Sequence, residues 1–448
     1  MFTTHRTYAP LLTALAVLLA ACSAEPTPLP EDYVSPQQAA VEKPKDVAAE
    51  PVTLRLLTWT RRGFEVDYTK VVEAFEAQHP NVKVELQKES GDYDSSLLGR
   101  LGDKNKRPDV FHVNPYALNA LIEAEQVLDV RPLLRMGQDM PQDFVPGLLE
   151  IGRRGESQYA VPLGWNPYYI LLNTDLFQKA GVPLPEADWT IDQFVETAKA
   201  LTDRSDATAV TYGVGFETNA FGSDASVMSF LMSNEGARWF REGAPQFSNA
   251  ETIRGLQHMQ DLYARDKSAL TDPELAQSGM SAWLMWSRGR VAMMPVVRAA
   301  IPFFTRQAKH KWTAVALPRG TVRVNPYFVP HMLAIHPATA QPDLALELVR
   351  MMISNEAQAA LIKNGGQMPP LMSQMMDAKL LAGVQDADLA RTLAANPGDP
   401  SQLDLIQNGN ATVLLGQILE PQLRLLLSGA QSAEETAKKI DEEWDAKK

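Results

Sequence analysis

Eight tryptophans and eleven tyrosines are spread along this chain, and several stand where a strand is expected to end or a loop to begin. An aromatic ring offers a flat apolar face of large area, and amide, carboxylate and guanidinium groups beside it offer donors and acceptors. Together they suit a guest with C–H faces and a girdle of hydroxyls, which is carbohydrate-binding chemistry. Trp59 closes VTLRLLTW and is followed by Thr60-Arg61-Arg62-Gly63. Its ring can stack on such a guest while Arg61 or Arg62 bonds the hydroxyls, or it can cap the core beneath it. Gly222-Ser223-Asp224 opens a helical stretch whose free N–H groups, with Asp224, can hold a hydroxyl or make a plain cap. Trp239 in GARWFREG is either a cleft edge or ordinary packing. Trp283 and Trp286 stand three apart in a helical segment and so share a face, one of them a candidate for the ligand side.

Catalysis has weaker support. The 54 Asp and Glu residues guarantee chance pairs, so a two-carboxylate glycosidase is not excluded by count, yet no signature selects a pair. No H-E-x-x-H, G-x-S-x-G or Walker sequence occurs, and the seven histidines are scattered without ligand-like spacing. A single cysteine permits no internal disulfide and no Cys-ligated zinc. The expectation is a binding protein without metal or cofactor. Net charge −12 and a pI near 5.2 argue against nucleic acid, which needs a basic stripe to neutralise phosphates.

That cysteine sits in AVLLAACSA (16–24), after an apolar run from Leu11 to Leu19 that is shorter than the roughly 20 residues a spanning helix needs. The run fits a secretory signal. Leu19 to Cys22 resembles a bacterial lipobox, which implies removal of residues 1–21 and acylation of Cys22. Several alkyl chains make a firm anchor on the outer face of the cell membrane. Residues 22–50, rich in Pro, Ala and Glu, read as a flexible linker.

The elements that must position these residues are legible from periodicity. VTLRLLTW (52–59) is a buried strand by its apolar run, DYTKVVEAFEAQHP (67–80) an amphipathic helix, and NVKVELQ (81–87) an alternating strand. That order is a βαβ unit with parallel strands. DVFHV (109–113) extends the sheet, and ligands of open α/β sheets bind beyond the carboxyl ends of the strands. TIDQFVETAKALTD (190–203) begins with Thr190 as N-cap. Strands return at 290–296, 312–318 and 328–336 after a helical block, and 342–448 is mainly helical. A chain that crosses between two lobes more than once makes a hinge.

Several segments carry a family resemblance: RPDVFHV (107–113), LIEAEQVLDVRPLL (121–134), YAVPLGWNPYYILLNTDLFQKAGVPLPEADW (159–189), WLMWSRGRVAMMP (283–295) and DLALELVRMMISNEAQAALIKNGGQMPP (343–370). In that order they resemble the extracellular solute-binding proteins of ABC importers, the large maltose-binding-protein-like class. Gln126 stands where glycine is usual, and NPYFVPH (325–331) is bulkier than the common pattern. The resemblance implies an α/β, two-lobed periplasmic-binding-protein-like fold of type II, with lobe 1 over 51–165 plus 297–353 and lobe 2 over 166–296 plus 354–448. It places Asn114, Trp165, Asn166, Tyr168, Phe328, His331 and Gly366 at or near the ligand cleft. It implies a monomer that hands a sugar or oligosaccharide to membrane permease subunits. A polyamine, phosphonate or peptide is the alternative cargo, with Arg61, Arg62 and Arg298 open to an anion.

Overall fold

The computed structural model describes residues 50–59, 67–89, 93–133, 141–216, 230–238, 240, 243–321, 328–363, 367–384, 386–395, 407–408 and 413–447. The signal and linker segments and Cys22 lie outside them, as do Arg61, Arg62, Asp224, Trp239 and Gly366, and the side chain of Phe328.

β1 (Val52–Trp59) and β2 (Val82–Glu89) pair in parallel from Val52 opposite Val82 to Trp59 opposite Glu89. The crossover is α1 (Thr69–Gln78), which buries Val71, Val72 and Phe75 at the spacing that puts them on one face. After α2 (Tyr93–Gly102), β3 (Val110–Val113) lies parallel to β1 on its other side, Leu56 opposite Val110. The carboxyl ends of β1 and β3 are therefore neighbours, as the βαβ order predicts. Further on, β4 (Arg153–Arg154) and β5 (Ser157–Gln158) form a small hairpin.

The next strand, β6 (Val161–Asn173), is thirteen residues long and buried throughout. The apolar run YYILLN (168–173) marks only its second half. Val161–Pro167 pairs antiparallel with β10 (Phe328–Ile335), and Tyr168–Asn173 pairs antiparallel with β8 (Val291–Val297) and β9 (Trp312–Ala316). Beyond β8 lies β7 (Tyr212–Val214), parallel to it. The sheet order is β2-β1-β3-β10-β6-β8-β7, with β9 also on β6. The return to the first strands is thus made by β10, while β8 and β9 stay with the later ones.

Pairing of β6 with β10 slips by one residue between His331 and Met332, because Pro162 has no amide to give and Leu163 bulges out. The freed Leu163 carbonyl accepts from the side-chain amides of Gln358 at 3.0 Å and Gln367 at 2.9 Å. A buried acceptor left without partners would cost about 1–3 kcal/mol, so these glutamines make the bulge tenable.

Three apolar cores surround this sheet. Leu54, Leu56, Val110, Leu163 and Leu333 pack with α1 and the helix Pro342–Met352. On the other side Leu57, Phe111, Trp165 and Met332 pack with the helix Ala387–Ala395. A third core gathers Ile170, Leu172, Val214 and Met293 with Ala300, Phe304 and Leu317. Two helices, Ala250–Gln260 and Ala433–Asp445, cover it. No helix among the described residues is long and apolar enough to cross a membrane.

Candidate ligand-binding site

Trp59 ends β1 half-buried, with its ring against the second of these cores. Beside it, Asn114 follows β3, and its Oδ1 accepts the Tyr116 N–H at 3.1 Å while its carbonyl accepts the Ala117 N–H at 2.9 Å. The asparagine therefore builds the turn after β3, the role its position before Pro115 also allows. Tyr116, which that turn presents, touches both the second and the third core. No sequence signal distinguished it.

Four of the expected residues meet where β6 passes from one core to another. Trp165 is 1 % exposed; its Nε1–H donates to the Pro369 carbonyl at 3.1 Å, and its backbone exchanges hydrogen bonds with Met368. At that burial neither face of the ring is open in this conformation. Asn166, also 1 % exposed, donates from Nδ2 to Nε2 of His331 at 2.8 Å. That bond makes Nε2 an acceptor and puts the histidine's proton on Nδ1. The Asn166 Oδ1 accepts no hydrogen bond although it is buried. Tyr168 is buried in the third core, two residues on from Asn166 and so on the same strand face.

Close to the half-buried His331 lies a second histidine, and this one is buried. His112 on β3 meets the Tyr68 hydroxyl at 3.2 Å, and the Tyr93 hydroxyl donates to its backbone carbonyl at 2.8 Å. Burial, helped by the nearby His331, pushes the His112 imidazole down to about 3. Burial alone pushes His331 down to about 4. Both rings are neutral at ordinary pH, as hydrogen-bonded positioning groups require.

Trp283 and Trp286 sit apart from this group. Trp286 is fully enclosed, edge-on to Phe304, His310 and Trp312 at centroid distances of 5.1, 4.5 and 6.2 Å. Trp283 is half-buried between Phe303 and Phe304. The shared helix face predicted for them is the face that fills the third core. Three groups at the crossing carried no motif: Tyr169, Arg298 and Asp386 are joined by hydrogen bonds between 2.7 and 3.3 Å. Among the described residues no cluster of His, Cys, Asp and Glu could hold a metal ion.

The mixed α/β fold, built along one long strand that borders all three cores, is that of two-lobed binding proteins. The sequence profile of the bacterial extracellular solute-binding proteins matches residues 65–359, and the chain belongs to that family. Among its relatives is an uncharacterised lipoprotein of Streptomyces antibioticus, 26% identical over 296 residues. That match takes in 64% of this chain and 63% of the relative, less than two thirds of the relative's length. In three dimensions the chain is similar to an ABC substrate-binding protein of Listeria monocytogenes solved with cycloalternan, at a TM-score of 0.71, 18% identity, and coverage of 89% of this chain and 99% of that one. It is also similar to the GacH receptor of Streptomyces glaucescens, solved unliganded and with acarbose, at a TM-score of 0.68, 17% identity, and coverage of 88% and 98%. These likenesses show the fold. Family and neighbours are solute-binding proteins rather than enzymes.

Proposed function

We propose that the protein captures a sugar or oligosaccharide outside the cytoplasmic membrane and delivers it to the permease of an ABC importer. The observation that carries this reading is the crossing of β6 between cores, where a buried amide keeps one acceptor open beside strand ends that carry Trp59 and Asn114. Family membership and the sugar ligands named for the structural neighbours support it. For the lobe division, the packing of Val297, Ala300, Phe304 and Leu317 in the third core supports grouping them with the later strands. Ligand bound to one lobe gains contacts from the other on closure, so it shifts the open–closed balance by that difference in affinity. The lipobox-like LAAC supports a mature protein that starts at Cys22, acylated and tethered by residues 22–50, working as a monomer. The lipoprotein relative points the same way.

Titration calorimetry of the purified chain against neutral oligosaccharides, polyamines, phosphonates and short peptides tests this. Binding of an oligosaccharide without its hydrolysis is the expected outcome, and Asn166→Ala and Trp59→Ala should each weaken it by about tenfold or more. Hydrolysis of the sugar would instead mark a surface glycosidase, and tight binding of an amine or phosphonate would replace the sugar.

A further inference from the structure

Tyr169, Arg298 and Asp386 come from three separate stretches and meet at the crossing. Tyr169 lies on β6, fully buried. Arg298 follows β8, next to Val297, which pairs with Tyr168. Asp386 stands just before the helix Ala387–Ala395 of the second core. One carboxylate oxygen of Asp386 accepts from the Tyr169 hydroxyl at 2.9 Å and from Arg298 Nε at 2.7 Å. The other accepts from Arg298 Nη2 at 3.3 Å. The guanidinium is thereby held at two points in a plane, the geometry in which arginine loses least freedom on bonding.

Arg298 is 6 % exposed, and its Nη1 donates to no acceptor. A buried donor of a charged group left in this state is costly unless something supplies an oxygen. One carboxylate cancels one guanidinium, so an incoming group meets a directed N–H rather than net positive charge. An anion gains little from such a pair, whereas a hydroxyl or ring oxygen gains a fixed, charge-assisted hydrogen bond. We propose that Arg298 is a ligand-contacting donor that selects uncharged polyhydroxylated solutes over anionic ones, with Asp386 and Tyr169 as its positioning residues. This rests on the receptor reading above and narrows its cargo.

The experiment uses the full chain and calorimetry with maltotetraose, cellotetraose and raffinose, with tri-galacturonate and citrate as anionic probes. Neutral sugar should bind and the anions should not. Arg298→Met, which keeps the bulk of the side chain, should weaken sugar binding by about tenfold or more. Asp386→Asn uncovers the arginine's charge, so the ratio of sugar to galacturonate affinity should fall by about threefold or more, a change that loss of packing alone would not produce. Should Arg298→Met fail to fold, Arg298→Lys, which lacks the planar fork, should show the same loss of sugar affinity. Sugar binding unchanged in a folded Arg298 variant, or an unaltered selectivity ratio in Asp386→Asn, overturns the inference and leaves the receptor reading standing. Binding of the anions by the parent chain, or of none of the five probes, sinks both.

Discussion

At the scale of single residues, the site rests on neutral imidazoles. His112 and His331 have folded pKa values of about 3 and about 4, both below imidazole's ordinary 6.5. As the pH drops through that ordinary value, the unfolded chain takes up protons that the folded chain refuses. Stability that is complete above about pH 6.5 is therefore lost progressively toward acid, by up to about 1.4 kcal/mol per pH unit for each group. Denaturant titrations at pH 7, 5.5 and 4.5 should give a shallower decline for His112→Gln than for the parent chain. Equal slopes would show that His112 does not titrate in this way. The residue types that suit a sugar were readable in the sequence, but their placement was not. Trp165, Tyr168 and Trp286 are buried in the cores, and composition does not tell a stacking ring from a packing one. The pairing of Asn166 with His331, 165 positions apart, exists only once β10 lies on β6.

Elements were more legible, because periodicity is a local signal and most helices obey it. Thr190 and Gln193 form a complete capping box, and Ile191, Phe194, Val195, Ala198 and Leu201 are all buried on the face their spacing defines. The early βαβ unit likewise has the strand order its sequence implies. What periodicity hid was the first half of β6, where Pro162, Gly164 and Pro167 interrupt the apolar pattern. These residues are strand because the bulge and the glutamine amides accommodate them. Gly164 shows how close the fit is: a Cβ there would lie 2.6 Å from the Met368 carbonyl oxygen and 2.6 Å from the Gln367 side-chain amide. Gly164→Ala should cost about 1–3 kcal/mol by forcing the 367–368 segment away. Chemical denaturation measures it, and a cost below about 0.5 kcal/mol would mean that this segment yields freely.

For the whole molecule, the proposed capture of a sugar between lobes makes closure the expected response to a guest. The radius of gyration from small-angle scattering should shrink when a binding oligosaccharide is added, and the melting temperature should rise with its concentration. A scattering curve indifferent to a tightly bound sugar would argue against closure. Which core a late helix joins is not a local property of the sequence. Helices from 342 onward look alike in sequence, and whether one joins the first cores or the third depends on partners hundreds of residues away.

Because β10 is the strand that completes both β3 and the first half of β6, the amino-terminal part of the molecule cannot finish itself. Until residues beyond 328 are delivered, those two strands present bare edges, each a template for the wrong neighbour. Synthesis should therefore leave a vulnerable interval, longest for nascent molecules stalled before that point. A truncation ending near residue 320 should clump or be degraded rather than persist as a half-receptor.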